Sequence, residues 1–88
     1  MIIKVELFGI CREFSEQDYL NFDFHNEITV KELKNKMIEI VKQKFRDNKN
    51  YHEMVDKSSF SLNDEVISEN FILNKNQTIS IIPPIGGG

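Results

Sequence analysis

The sequence predicts an α+β domain in which one main helix covers one face of a mixed sheet of four to five strands. Three observations lead there. Apolar residues alternate near both ends of the chain, a long helical stripe lies between them, and the final apolar run stops at Pro83-Pro84 before a glycine-rich ending.

Ile2-Ile3-Lys4-Val5-Glu6-Leu7-Phe8 alternates and is rich in β-branched residues, so it reads as a first strand with Ile3, Val5 and Leu7 facing inward. Gly9 to Ser15 makes a turn. Asp18 to Phe24 reads as a second strand, alternating Leu20, Phe22 and Phe24 with more polar neighbours, and the two together suggest a hairpin.

Thr29-Val30-Lys31-Glu32 has the form of a capping box, in which the Thr29 hydroxyl accepts from the N3 amide and Glu32 reaches back to the cap amide. Behind it Val30, Leu33, Met37, Ile40, Val41 and Phe45 recur at helical spacing. Lys34, Lys36, Glu39, Gln43 and Arg46 form the opposite, polar face, and the helix runs to about Arg46. Asp47 to Lys57 lacks a clear period and reads as a connecting loop with room for a turn of helix.

Ser58 to Leu62 makes a third strand, Asn63-Asp64-Glu65 supplies turn chemistry, and Val66-Ile67 is a short strand. After a polar turn at Asn74 to Gln77, Thr78 to Ile82 is the last strand. The order is ββαβββ. Residues 1–82 form the domain and residues 83–88 a flexible tail.

The 88 residues leave room for one domain, and 40% hydrophobic with 28% charged residues is the balance of an ordinary globule. A core of this size leaves little space for an enclosed catalytic constellation, so chemistry belongs on the surface or in a partner. With a net charge of −3 and lysines interleaved with acids, there is no basic stripe, which disfavours nucleic-acid binding. No apolar run approaches a membrane span, and Lys4 and Glu6 interrupt the stretch a secretory leader would need. The single cysteine, Cys11, has no intrachain disulfide partner, which fits a reducing, cytoplasmic setting.

Cys11 has no histidine at a suggestive spacing and reads as a plain thiol. His25 and His52 stand alone, and Glu53 to Asp56 and Asp64-Glu65 read as solvated loop charges, so no metal is expected. The ending is different. Pro83 and Pro84 fix φ and stop the strand, while Gly86, Gly87 and Gly88 lack a Cβ and let the backbone enter narrow spaces. Drawn out at ~3.3 Å per residue, Pro83 to Gly88 reach roughly 20 Å, enough to carry a carboxylate into a pocket of another protein.

Element order and tail together resemble the β-grasp, or ubiquitin-like, fold. Pro83-Pro84-Ile85-Gly86-Gly87-Gly88 matches the Pro-Pro-x-x-Gly-Gly terminus of the MoaD and ThiS family of sulfur carriers, on the MoaD side. Ile3-Lys4-Val5 with Phe8 and Arg12-Glu13, and Leu62-Asn63 before the hairpin, are similar to that family as well.

The resemblance implies that Gly88 is adenylated and converted to a thiocarboxylate that supplies sulfur for molybdopterin. A MoeB-like enzyme would use ATP and Mg²⁺, and a sulfurtransferase would bring the sulfur. A MoaE-like large subunit would receive the tail in a heterotetramer and hold the catalytic side chains. No cofactor is expected to stay bound to this chain.

Pro83, Pro84, Ile85, Gly86 and Gly87 would thread the partner. By strand parity Phe8 and Ile82 form an apolar patch at the tail's root, with Arg12 as a polar anchor or a brace of its own loop. The same ending admits a ThiS-like carrier for another pathway, a ubiquitin-like modifier conjugated through Gly88, or an interaction domain with an inert tail.

Overall fold

Ile3, Val5 and Leu7 are all buried, so the alternation of the first strand is a true in–out pattern. The computed structural model describes residues 1–46 and 48–84. The chain runs β1 (Ile2–Leu7), a 3-10 turn (Gly9–Phe14), β2 (Tyr19–Asp23), β3 (Ile28–Thr29) and α1 (Val30–Lys44). It continues through α2 (Lys49–Lys57), β4 (Ser59–Leu62), β5 (Glu65–Ile67), β6 (Ile72–Leu73) and β7 (Gln77–Ile82).

Among the described residues the main sheet has the order β2-β1-β7-β4-β5, and β3 and β6 form a separate two-stranded ribbon. β1 and β7 are parallel, with Ile3 opposite Gln77 and Leu7 opposite Ile81, while the other pairs are antiparallel. A parallel pair needs a long crossover, and here the whole helical layer lies between the two strands in sequence. Ile3, Val5, Phe22, Phe60, Ile79 and Ile81 meet Leu33, Met37 and Val41 of α1 in one core. No helix among the described residues is long and apolar enough to cross a membrane.

The capping box forms as expected: the Thr29 hydroxyl accepts from the Glu32 amide at 3.2 Å, and Glu32 accepts from the Thr29 amide at 3.3 Å. The helix stops earlier than expected, at Lys44. Phe45 leaves helical geometry and turns its ring onto Tyr51 and Phe14, with centroids 5.0 and 6.0 Å away. Contact with the buried Phe14 and the half-buried Tyr51 wins over two more residues of helix.

The supposed loop before β4 is largely helical. Asn48 caps α2 by accepting from the Tyr51 amide, and Tyr51, Met54 and Val55 lie on its inner face. Nine residues carrying three inward apolar side chains show little periodicity by themselves; the helix is held by its packing on α1. β3 and β6, of two residues each, also escaped notice, and Ser58 ends α2 instead of starting β4.

Lys34 corrects the polar-face assignment. It is 4% exposed, and its ammonium donates to the Asp56 carbonyl at 2.9 Å and to Glu69 at 2.8 Å. Its long stem packs inside while its charge finds partners on α2 and on the β5–β6 connection. The β4–β5 hairpin turns through Asn63 and Asp64, both at positive φ, the geometry of a two-residue turn that Asn and Asp tolerate.

Candidate functional site

β7 ends at Ile82, in the middle of the sheet, and the candidate site is the surface around that exit. The parallel register pairs Leu7 with Ile81 and buries both, so the next residue on each strand faces the open side of the sheet. Phe8 is 46% exposed and Ile82 36%, as strand parity requires. Ile10, exposed from the 3-10 turn two residues after Phe8, is a further apolar group that sequence reasoning passed over. Its exposure follows from tertiary structure: the segment is a helical turn that buries Cys11 and Phe14.

Gly9 has φ +57°, and a Cβ placed on it would lie 3.3 Å from Cγ of Pro83. The base of the tail therefore rests directly on the turn that follows β1. The turn is held by the Cys11 amide donating to the Phe8 carbonyl at 3.1 Å, and the Leu7 amide donating to the Asp18 carbonyl at 2.8 Å. Arg12 stands 3.8 Å from Asp18, with both side chains mostly in water, so the pair braces the loop weakly and leaves the guanidinium free to meet another surface.

Beside Phe8 lies a depression of about 240 Å³ walled by Glu6, Arg12, Asp18 and Tyr19. Lys4 stands on the same face with its ammonium 4.4 Å from the centre of the Tyr19 ring. The surface is mixed in charge and carries aromatic and aliphatic groups beside the charged ones. Tyr19 was legible only as a strand residue; its pairing opposite Glu6 places it in this wall.

Cys11 is fully buried beneath the turn, and burial pushes its thiol up to about 11, far from a reactive thiolate at neutral pH. Among the described residues no group of three His, Cys, Asp or Glu side chains is placed to hold a metal ion. Pro83 is half-buried and Pro84 exposed. The remaining residues singled out in the tail, Ile85, Gly86, Gly87 and Gly88, lie outside the described residues.

A mixed sheet with its first and last strands parallel at the centre, backed by a helical layer, is the β-grasp or ubiquitin-like fold. The ThiS family model matches residues 5–88, and the chain belongs to the ThiS family. No curated protein sequence matches it.

SAMP1 from Haloferax volcanii is similar in structure, with a TM-score of 0.69 and 16% identity over 100% of both chains. A protein assigned as molybdopterin converting factor, subunit 1, from Pyrococcus furiosus gives a TM-score of 0.69 and 20% identity over 96% of this chain and 98% of that one. A chain from the complex of subunits 1 and 2 of molybdopterin-converting factor from Helicobacter pylori gives 0.52 and 19% over 100% of both. At these identities the likeness is one of fold, and it is the fold shared by ThiS/MoaD-type sulfur carriers and ubiquitin-like modifiers.

Proposed function

We propose that this protein is the sulfur carrier subunit of a molybdopterin synthase. The observation that carries the reading is the Pro83-Pro84-x-x-Gly-Gly ending on a ThiS-family β-grasp domain, leaving the sheet beside the exposed Phe8 and Ile82. The H. pylori neighbour, whose structure is a complex of subunits 1 and 2, supports a large-subunit partner of the MoaE kind.

A carboxylate is a poor acyl donor until its oxygen is made a better leaving group. In a MoeB-like enzyme a Gly88 carboxylate oxygen attacks the α-phosphorus of ATP, pyrophosphate departs, and an acyl adenylate forms, with Mg²⁺ balancing the phosphate charge. Sulfur at the sulfide level from a sulfurtransferase displaces AMP and leaves a thiocarboxylate. The MoaE-like subunit then directs that sulfur to cyclic pyranopterin monophosphate. The carrier's own share is presentation. Phe8, Ile82 and Arg12 dock the domain, and Pro83 to Gly87 thread the terminal carbonyl to the place of reaction, a gain from orientation.

Mass spectrometry after co-expression with an adenylating enzyme and a sulfur source tests this. The carrier gains the difference between sulfur and oxygen, and deletion of Gly88 abolishes the gain. An unchanged mass with an active partner system rejects the reading.

A second reading is favoured by the likeness to SAMP1, solved also as the small archaeal modifier protein 1 of H. volcanii. As a modifier, the activated Gly88 would form an isopeptide with a lysine of another protein. Peptides in which a lysine side chain carries the terminal glycines would decide for it. Complementation of a strain lacking the molybdopterin carrier separates this pathway from a ThiS-like one.

A further inference from the structure

We propose that Gly9 is a positioning residue, the footing on which Pro83 rests, and that it sets the direction in which the tail leaves the sheet. Its consequence for transfer rests on the carrier reading above. Two independent features of Gly9 lead to it. The backbone is in the left-handed region at φ +57°, where L side chains are strained, and the space where a Cβ would stand is closed by Pro83 Cγ at 3.3 Å. A contact that close obliges Pro83 to give way by a few tenths of an ångström.

Pro83 has little freedom to absorb such a push locally, because its ring fixes φ and Pro84 restricts the residue before it. On the other side Ile82 is tied into the last ladder position, opposite Ser59. The turn beneath is held equally firmly, by the Phe8 carbonyl, the Asp18 carbonyl and the buried side chains of Cys11 and Phe14. A displacement at Gly9 therefore passes into the diproline.

A shift at Pro83 redirects the tail at its root, and the residues beyond must bend back to follow a partner's channel over a reach of roughly 20 Å. Misplacement of reacting atoms by ~1 Å can cost on the order of 10²-fold in rate, and the tail's glycines recover part of that loss. Docking, which uses Phe8, Ile82 and Arg12, is left alone.

The test pairs a structural with a kinetic readout. In the wild type, NMR should show contacts between the Gly9 α-protons and the Pro83 ring. Gly9→Ala should change the Cα–Hα residual dipolar couplings at Pro83 and Pro84 while those in β1 and β7 stay fixed. With a purified MoeB-like enzyme, ATP and Mg²⁺, Gly9→Ala should lower kcat about tenfold, with KM within about twofold. In a Pro83→Ala background, where the ring is gone, adding Gly9→Ala should change neither readout further.

Gly9→Asn repeats the experiment should the alanine variant misfold, since Asn accepts positive φ yet carries a Cβ. Unaltered couplings at Pro83 and Pro84 in the folded variant, or an equal effect with and without the proline ring, overturn the proposal. Failure of the wild type to be adenylated rejects the carrier reading, and the couplings still decide the role of Gly9.

Discussion

Lys34, almost wholly buried on α1, places its ammonium 2.8 Å from Glu69 on the connection between β5 and β6. The same ammonium donates to the Asp56 carbonyl near the end of α2, and Lys31 approaches Glu69 from the preceding turn of α1 at 3.6 Å. One side chain thus ties the two helices and a sheet connection together. The Lys34 hydrogen bond and charge, with a smaller part from Lys31, hold the Glu69 carboxyl below its ordinary value.

Because the folded-state value is depressed, the stabilisation is present above the unfolded carboxyl's pKa of about 4.5 and is lost as pH falls through the lower folded value. Denaturant titrations of wild type and Glu69→Gln at several pH values check it. The wild type is the more stable at neutral pH, and the gap closes in acid. A gap that persists unchanged at low pH contradicts the ion pair's role.

Phe8→Ala separates folding from docking. Phe8 is 46% exposed, so the variant keeps its stability within about 0.5 kcal/mol, the usual range for surface sites. Binding to a MoaE-like subunit, read by calorimetry, weakens by about 2 kcal/mol if Phe8 is a central anchor. Leu33→Ala gives the opposite pattern, with a loss of about 2–5 kcal/mol in stability from a fully buried position.

Cys11 should resist alkylation in the native protein. Raising the thiol from 9.0 to about 11 lowers its thiolate fraction near neutral pH by about a hundredfold, and burial adds a barrier of access. Iodoacetamide labelling followed by mass spectrometry, with and without denaturant, measures this. Labelling at equal rates in both states refutes it.

Thr29→Ala removes the hydroxyl that accepts from the Glu32 amide and leaves the first turn of α1 short of one acceptor. Stability falls by about 1 kcal/mol, measured by urea unfolding. Thr29→Ser restores most of it, because the cap needs the oxygen and not the methyl group.

The strands and the long helix were legible because their signals are local. Ile3, Val5 and Leu7 alternate, Ile79 and Ile81 alternate, and Thr29 and Glu32 stand at cap spacing. What escaped depends on tertiary contact. α2 rests on Tyr51, Met54 and Val55 meeting α1, and the early end of α1 rests on Phe45 meeting Tyr51 and Phe14. Lys34 has the chemistry of a surface residue and is buried because Asp56 and Glu69, far away in sequence, arrive above it.

At the site, parity alone placed Phe8 and Ile82 on the open face, and the register agrees. The closeness of Gly9 to Pro83 joins residues from opposite ends of the chain, and periodicity carries no trace of it.

The tail is rooted in an interior strand: β7 is laced to β1 on one side and to β4 on the other. A machine that hauls on the C-terminus, whether a protease or an unfoldase, pulls along that strand and loads both hydrogen-bond ladders in shear at once, with no edge to peel. Pulled by its end, the domain resists through two ladders together, where a terminus leaving from an edge strand would be opposed by one.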